Sequence, residues 1–152
     1  MTENYIEDTA EWFEVSLDGK KPTPEQFTVQ TGVHFEEVVE MIQALDSDDP
    51  ETERLLKLSE TALHALATHL KTQNTLVYAK DHTGLELLDA LCDQIVTATG
   101  VGVFAGMHMP GALNEVNGSN WSKFLHGKAL RNPAGKIMKG PHYIKAVLAP
   151  FL

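Results

Sequence analysis

GLELLDALCDQIV, residues 84–96, is the stretch on which the fold of this chain turns. It reads as an apolar helix, yet it carries Glu86, Asp89 and Asp93. A helix turns about 100° per residue, so acids three and four positions apart share one stripe within roughly 60° of arc. Leu85, Leu87, Leu88, Ala90, Leu91, Cys92, Ile95 and Val96 surround that stripe on nearly every other side. Three aligned carboxylates on such a helix call for a physical reason.

A second stretch repeats the pattern. VHFEEVVEMIQAL, residues 33–45, carries Glu36, Glu37 and Glu40, with Val38, Val39, Met41, Ile42, Ala44 and Leu45 around them. Glu37 and Glu40, like Glu86 and Asp89, follow the spacing acid-x-x-acid and stack on one face. No Lys or Arg lies within four residues on either helix to pair with them. The ordinary reading is a solvated face on each helix. The alternative is convergence, in which four carboxylates repel one another and lose hydration. A divalent cation removes both penalties, and an all-oxygen donor set favours Mg²⁺, with Mn²⁺ possible. A di-iron bundle needs Glu-x-x-His on two helices; His34, His64, His69 and His82 do not supply it.

Working outward, the sequence predicts an all-α bundle of four to five helices with a short basic C-terminal hairpin or loop. Tyr5, Ile6, Ala10, Trp12, Phe13 and Val15 give an apolar face to a helix over about 3–16. LDGKKPTP breaks it, and Thr23, Pro24 and Glu25 form a start signal for a helix over 24–46, weakened in the middle by Gly32. SDDPE is a turn before a third helix at 51–72, whose buried side reads as Leu55, Leu56, Leu58, Leu63, Leu66 and Leu70. The acid-striped helix covers about 82–99, with a possible extension through GVGVFAGM. Met109 to Ala112 mark a break before a last short helix over 111–124. Asn-Pro and Ala-Gly signals in HGKALRNPAGKIMKG predict the hairpin.

Size and composition set the frame. A chain of 152 residues suits one compact domain, here residues 1–152, that needs no disulfide or metal staple. One cysteine fits a reducing compartment. The first residues carry no secretory signal, and no run approaches the roughly 18 apolar residues of a membrane span, so the expected location is cytoplasmic. Net charge is −9, unevenly spread. Residues 1–115 hold 21 acids and 6 bases; residues 116–152 hold no acid and 6 bases, Lys123, Lys128, Arg131, Lys136, Lys139 and Lys145. The acidic body argues against a nucleic-acid polymer or an anionic membrane as partner. If body and tail share one ligand, a metal-bridged phosphate is the obvious class.

Four motifs in order carry a resemblance: Glu36-Glu37-x-x-Glu40; Glu86-x-x-Asp89-Ala-Leu-x-Asp93; Ser119-Asn120-Trp121-Ser122-Lys123; and Gly135-Lys136-x-x-Lys139-Gly140-Pro141. Together they resemble the MazG-like all-α nucleoside triphosphate pyrophosphohydrolases, in particular the small stand-alone members common in bacteria and phages. The resemblance covers most of residues 33–145. It departs from the family at residues 41–85, which separate the acidic motifs by 45 residues, more than is typical. This bears on substrate and assembly more than on the metal site.

The resemblance implies Mg²⁺-dependent hydrolysis of a (deoxy)nucleoside triphosphate to the monophosphate and pyrophosphate. It also implies a homodimer or homotetramer with pockets built by adjacent subunits, in the cytoplasm, or the host cytoplasm for a phage protein. Glu37, Glu40, Glu86 and Asp89 are the candidate metal ligands. Glu36 or Asp93 would orient or deprotonate the water, or hold a second ion through a water. Lys123, Lys136, Lys139 and then Arg131 would neutralise phosphate, and Asn120 would contact sugar or base. Each has an ordinary alternative: solubilising lysines, a capping Asn120, core aromatics in Trp12, Phe13, Trp121 and Tyr143, and an inert buried thiol at Cys92. The competing readings are the same chemistry on a non-canonical nucleotide or a ppGpp-type alarmone, and a non-enzymatic helical binding module.

Overall fold

The computed structural model describes residues 4–133 and 135–152. Among them the fold is all-α. Its helices are α1 (Tyr5–Ser16), α2 (Pro24–Gln43), α3 (Pro50–Thr72), α4 (Leu85–Phe104) and α5 (Met109–Trp121), followed by a 3₁₀ turn at Ala149–Phe151. The chain gathers into two compact units: Pro22–Gly84, and Met1–Lys21 together with Leu85–Leu152.

The unit Pro22–Gly84 is a helical hairpin. Thr23 caps α2 by accepting from the Gln26 N–H, and the Gln26 side chain returns a bond to the Thr23 N–H, closing a reciprocal cap ahead of Pro24. Asp49 caps α3 by accepting from the Thr52 N–H at 2.7 Å. The core of the hairpin is Val39, Ala67 and Leu70. Gly32 is what lets the helices close. A Cβ there would lie 2.9 Å from the Ala67 carbonyl oxygen and 3.0 Å from Leu70 Cβ. Its cost in helix propensity is therefore offset by close packing. Thr28 is only 1% exposed; its hydroxyl donates to Pro24 O and accepts from the Val77 N–H at 3.1 Å, which ties the 73–84 segment to α2.

The other unit is built on α1 and α5. Asn117, 3% exposed, donates to Tyr5 O and accepts from the Thr9 hydroxyl, and Trp121 Nε1 donates to Asp8 at 2.8 Å. Trp12 stacks on Phe124 with centroids 5.4 Å apart, and Trp121 meets Phe124 edge-on at 5.5 Å. The C-terminal segment lies along this pair. Ile144 N–H bonds Ser122 Oγ, Val147 N–H bonds Glu115 Oε1, and His108 N–H bonds Phe151 O. The expected hairpin is present as two isolated antiparallel bridges, Leu125 with Lys128 and Arg131 with Ile137. Of the turn residues named for it, Ala134 lies outside the described residues.

Four expectations change. The break falls at 105–108, not at Met109–Ala112. Gly106, at φ +84°, ends α4, with Met107 N–H returning to Gly102 O. His108 then caps α5, and Pro110 suits its first turn because it has no N–H to satisfy. In α3, Leu55, Leu58 and Leu66 are exposed; Ala67 and Leu70 are the buried residues, so only one edge of the apolar stripe is covered. Cys92 is exposed, not buried. Finally, α4 is by length and composition long and apolar enough to cross a membrane, and its leucines are not core. Leu85 and Val96 are each 69% exposed and Phe104 is 95% exposed. Its burial is confined to Gly102, where a Cβ would collide with Met109 of α5.

Candidate functional site

The acidic candidates sit on two helices, one in each unit. On α2, Glu37 and Glu40 stand one turn apart on exposed surface. Glu36 points to a different neighbour. Its carboxylate makes an ion pair with Lys71 of α3 at 2.5 Å, both side chains being partly shielded. Lys71 is 35 positions away, so no local spacing rule reveals it, although the sequence contains no base nearer on the helix. On α4, Glu86 occupies the first turn, where the positive helix end favours an acid, with Asp89 and Asp93 following along the same exposed stripe.

Within each unit, among the described residues, no three His, Cys, Asp or Glu side chains lie together as a cation site. Each helix thus offers two carboxylates at one-turn spacing. That is part of the six-oxygen shell a hard dication takes, and the donor chemistry of each pair is right for Mg²⁺ or Mn²⁺.

The basic candidates share one unit but divide into engaged and open groups. Lys123 Nζ donates to Asn120 Oδ1 at 2.7 Å and stands 5.7 Å from the Trp12 ring centroid. Asn120 and Lys123 thus form one polar cluster at the end of α5, close to the Trp12–Phe124 stack. Arg131 serves the fold: Nη1 donates to Gly135 O at 2.5 Å and Nη2 to Ser16 O at 2.7 Å. The fork pins the hairpin to the end of α1 and faces carbonyls. Lys139 lies over Tyr143, 4.7 Å from its centroid. Lys136 is exposed, with its N–H held by Asn132 Oδ1 at 2.9 Å.

Three residues without a sequence-based role turn out to organise these surfaces. Asp8 and Asn117 fix α1 on α5, and His108 caps α5 through Nδ1 while stacking on Phe151. His108 has a readable signal, a polar residue directly before a Pro-containing helix start. Asp8 and Asn117 have none, because their partners are more than 100 positions distant. Compared with known protein families, characterised proteins and solved structures, the chain matches none.

Proposed function

We infer that this protein is a Mg²⁺-dependent nucleotide pyrophosphohydrolase acting on the (deoxy)nucleoside triphosphate pool. One observation carries the reading: two helices each bear an acid-x-x-acid pair on exposed surface, and the α4 acids stand on an otherwise apolar helix without a base. The ordered series of MazG-like motifs adds to it. Glu37, Glu40, Glu86 and Asp89 are the ligands in this reading. The cation supplies charge neutralisation of phosphoryl oxygens and a lowered pKa for bound water.

The protein's own groups do the remaining work. Asp93 takes the proton of a water that attacks phosphorus; the α–β anhydride P–O bond breaks, and monophosphate and pyrophosphate leave. Glu36 is held by Lys71 of its own unit, which leaves Asp93 as the residue to take the proton in this reading. Lys136 and Lys139 neutralise the triphosphate, and Asn120 with Lys123 meets sugar or base. Two or four copies of the chain, a cytoplasmic location and no nucleic-acid or membrane partner belong to the same reading.

The test is incubation of purified protein with each dNTP, with and without Mg²⁺ or Mn²⁺, followed by product identification. Metal-dependent release of pyrophosphate supports the reading. Release of orthophosphate, or no turnover of any triphosphate, sinks it. In parallel incubations, turnover confined to a non-canonical triphosphate keeps the chemistry and replaces the base, whereas turnover of ppGpp alone replaces this reading with the alarmone one.

A further inference from the structure

We propose that Trp12, Asn120 and Lys123 form a subsite that offers a ligand donors only, and that it reads the keto oxygen of a guanine, thymine or uracil base. Trp12 of α1 is 8% exposed, and its indole Nε1 is buried with no hydrogen-bond partner among the described residues. A buried N–H left unpaired costs free energy that a bonded one does not, so the group calls for an acceptor. The Phe13 and Phe124 rings against it carry no oxygen or nitrogen. Asp8, one turn earlier on α1, accepts from Trp121 Nε1 instead. Lys123 stands over the Trp12 ring, with Nζ 5.7 Å from the centroid, and an ammonium has donors only. That ammonium donates to Asn120 Oδ1 at 2.7 Å, which uses the amide oxygen and leaves the amide NH₂ to face a ligand.

Indole N–H, amide NH₂ and ammonium are all donors, so their complement is a ligand atom that accepts and does not donate. The keto oxygen on the edge of guanine, thymine or uracil is such an atom. The amino group in the same place on adenine or cytosine brings one more donor and leaves the protein's donors unpaired. Phosphate also only accepts, but it is the poorer occupant. Asp8 shares the face of α1 that carries Trp12, and its carboxylate repels a dianion but not a neutral base. A sugar hydroxyl is poorer too, because it donates as well as accepts. The Lys123 stem is flexible and swings aside to admit the oxygen. This inference rests on the nucleotide reading above for its ligand and adds to it the class of base.

The test is the ¹H–¹⁵N spectrum of the full chain, whose two tryptophans give two indole signals. It is titrated without metal, first with dGMP, dTMP and dUMP and then with dAMP and dCMP. Trp12→Phe assigns the Trp12 signal. The keto nucleotides should move that signal downfield and bind at least about 10-fold more tightly than the amino ones. Asn120→Asp, which replaces the amide donor with an acceptor, should lower that ratio by at least about 10-fold, with the Trp121 signal retained as the mark of an intact fold. A Trp12 signal unmoved by every nucleotide, as for an indole held by a trapped water, overturns the proposal. So does equal binding of keto and amino nucleotides, which assigns the contact to sugar or phosphate, or a ratio that Asn120→Asp leaves unchanged. Hydrolysis of triphosphates with an unmoved Trp12 signal keeps the hydrolase and removes the subsite. Keto-selective binding with no turnover of any triphosphate keeps the subsite and removes the hydrolase.

Discussion

Gly32 of α2 stands against Ala67 of α3 so closely that any Cβ added there would sit 2.9 Å from the Ala67 carbonyl oxygen and 2.9 Å from Lys71 Cγ. Lys71 can swing aside, but helix backbone cannot. Gly32→Ala is therefore expected to destabilise the hairpin by about 1–3 kcal/mol, although alanine is the better helix former. Denaturant unfolding checks it, and a more stable variant would contradict the packing described.

Asn117 joins α1 to α5 with both ends of its amide satisfied. Asn117→Leu leaves Tyr5 O and the Thr9 hydroxyl without that partner, at an expected cost of about 1–3 kcal/mol. Thr9→Val removes only one of those bonds and should cost less. Chemical denaturation followed by tryptophan fluorescence reports on it, since Trp12 and Trp121 lie in this unit.

Arg131 bonds two backbone carbonyls on separate segments, at Ser16 and Gly135. Lysine lacks the planar fork that does this. Arg131→Lys is expected to lose about 1 kcal/mol of stability and to expose the hairpin to proteolysis. Lys136→Gln should leave stability within error and raise KM for nucleotide. The reverse pattern would exchange the two assignments.

Acid titration should single out the α3 cap. The Thr52 N–H, and then its hydroxyl, hold the Asp49 carboxyl below its ordinary value of 3.8. A carboxyl depressed in the folded state contributes its full stability above the unfolded value and loses it as pH falls through the folded value. Thermal stability of the native chain should thus fall below about pH 4. Asp49→Asn, which keeps a capping oxygen but cannot titrate, should show a shallower acid limb in Tm against pH.

For the proposed hydrolase, Glu37→Gln and Glu86→Gln should each reduce kcat/KM by more than about 100-fold. Groups that only orient a metal ligand already cost about 10–100-fold. Each variant should also abolish any rise of Tm with added Mg²⁺. Glu36→Gln, which breaks the ion pair with Lys71, should lower stability and reduce turnover less. Full activity in Glu37→Gln or Glu86→Gln would remove those residues from the ligand set.

Local chemistry is legible in the order of the residues. The Thr23 cap with Pro24, the SDDPE turn, the two acid pairs and the helices read at 24–46 and about 82–99, found at Pro24–Gln43 and Leu85–Phe104, follow from capping, period and spacing, which act over a few residues. The split of the α3 leucines is not legible there. Leu66 and Leu70 stand one turn apart on the same face, yet Leu66 is exposed with Leu55 and Leu58 while Leu70 is buried, and composition alone cannot say which edge of that face meets α2. Gly106 is hidden as a terminator by the Pro two residues into α5, which reads as a breaker; at a first turn it is a starter.

The sequence by itself determined an all-α chain, the Thr23 cap and an acidic stripe on each of two apolar helices, because these depend on torsional preference and on 3.6-residue periodicity. Only the tertiary structure decided which long-range partner each polar group takes. Lys71 finds Glu36, Asp8 finds Trp121, and Arg131 finds the end of α1. It also decided that burial on α4, the most apolar helix, falls at Gly102 against Met109 of α5 and not on its leucines. Those outcomes depend on how helices pack across many residues of chain, where closeness in space has no counterpart in spacing.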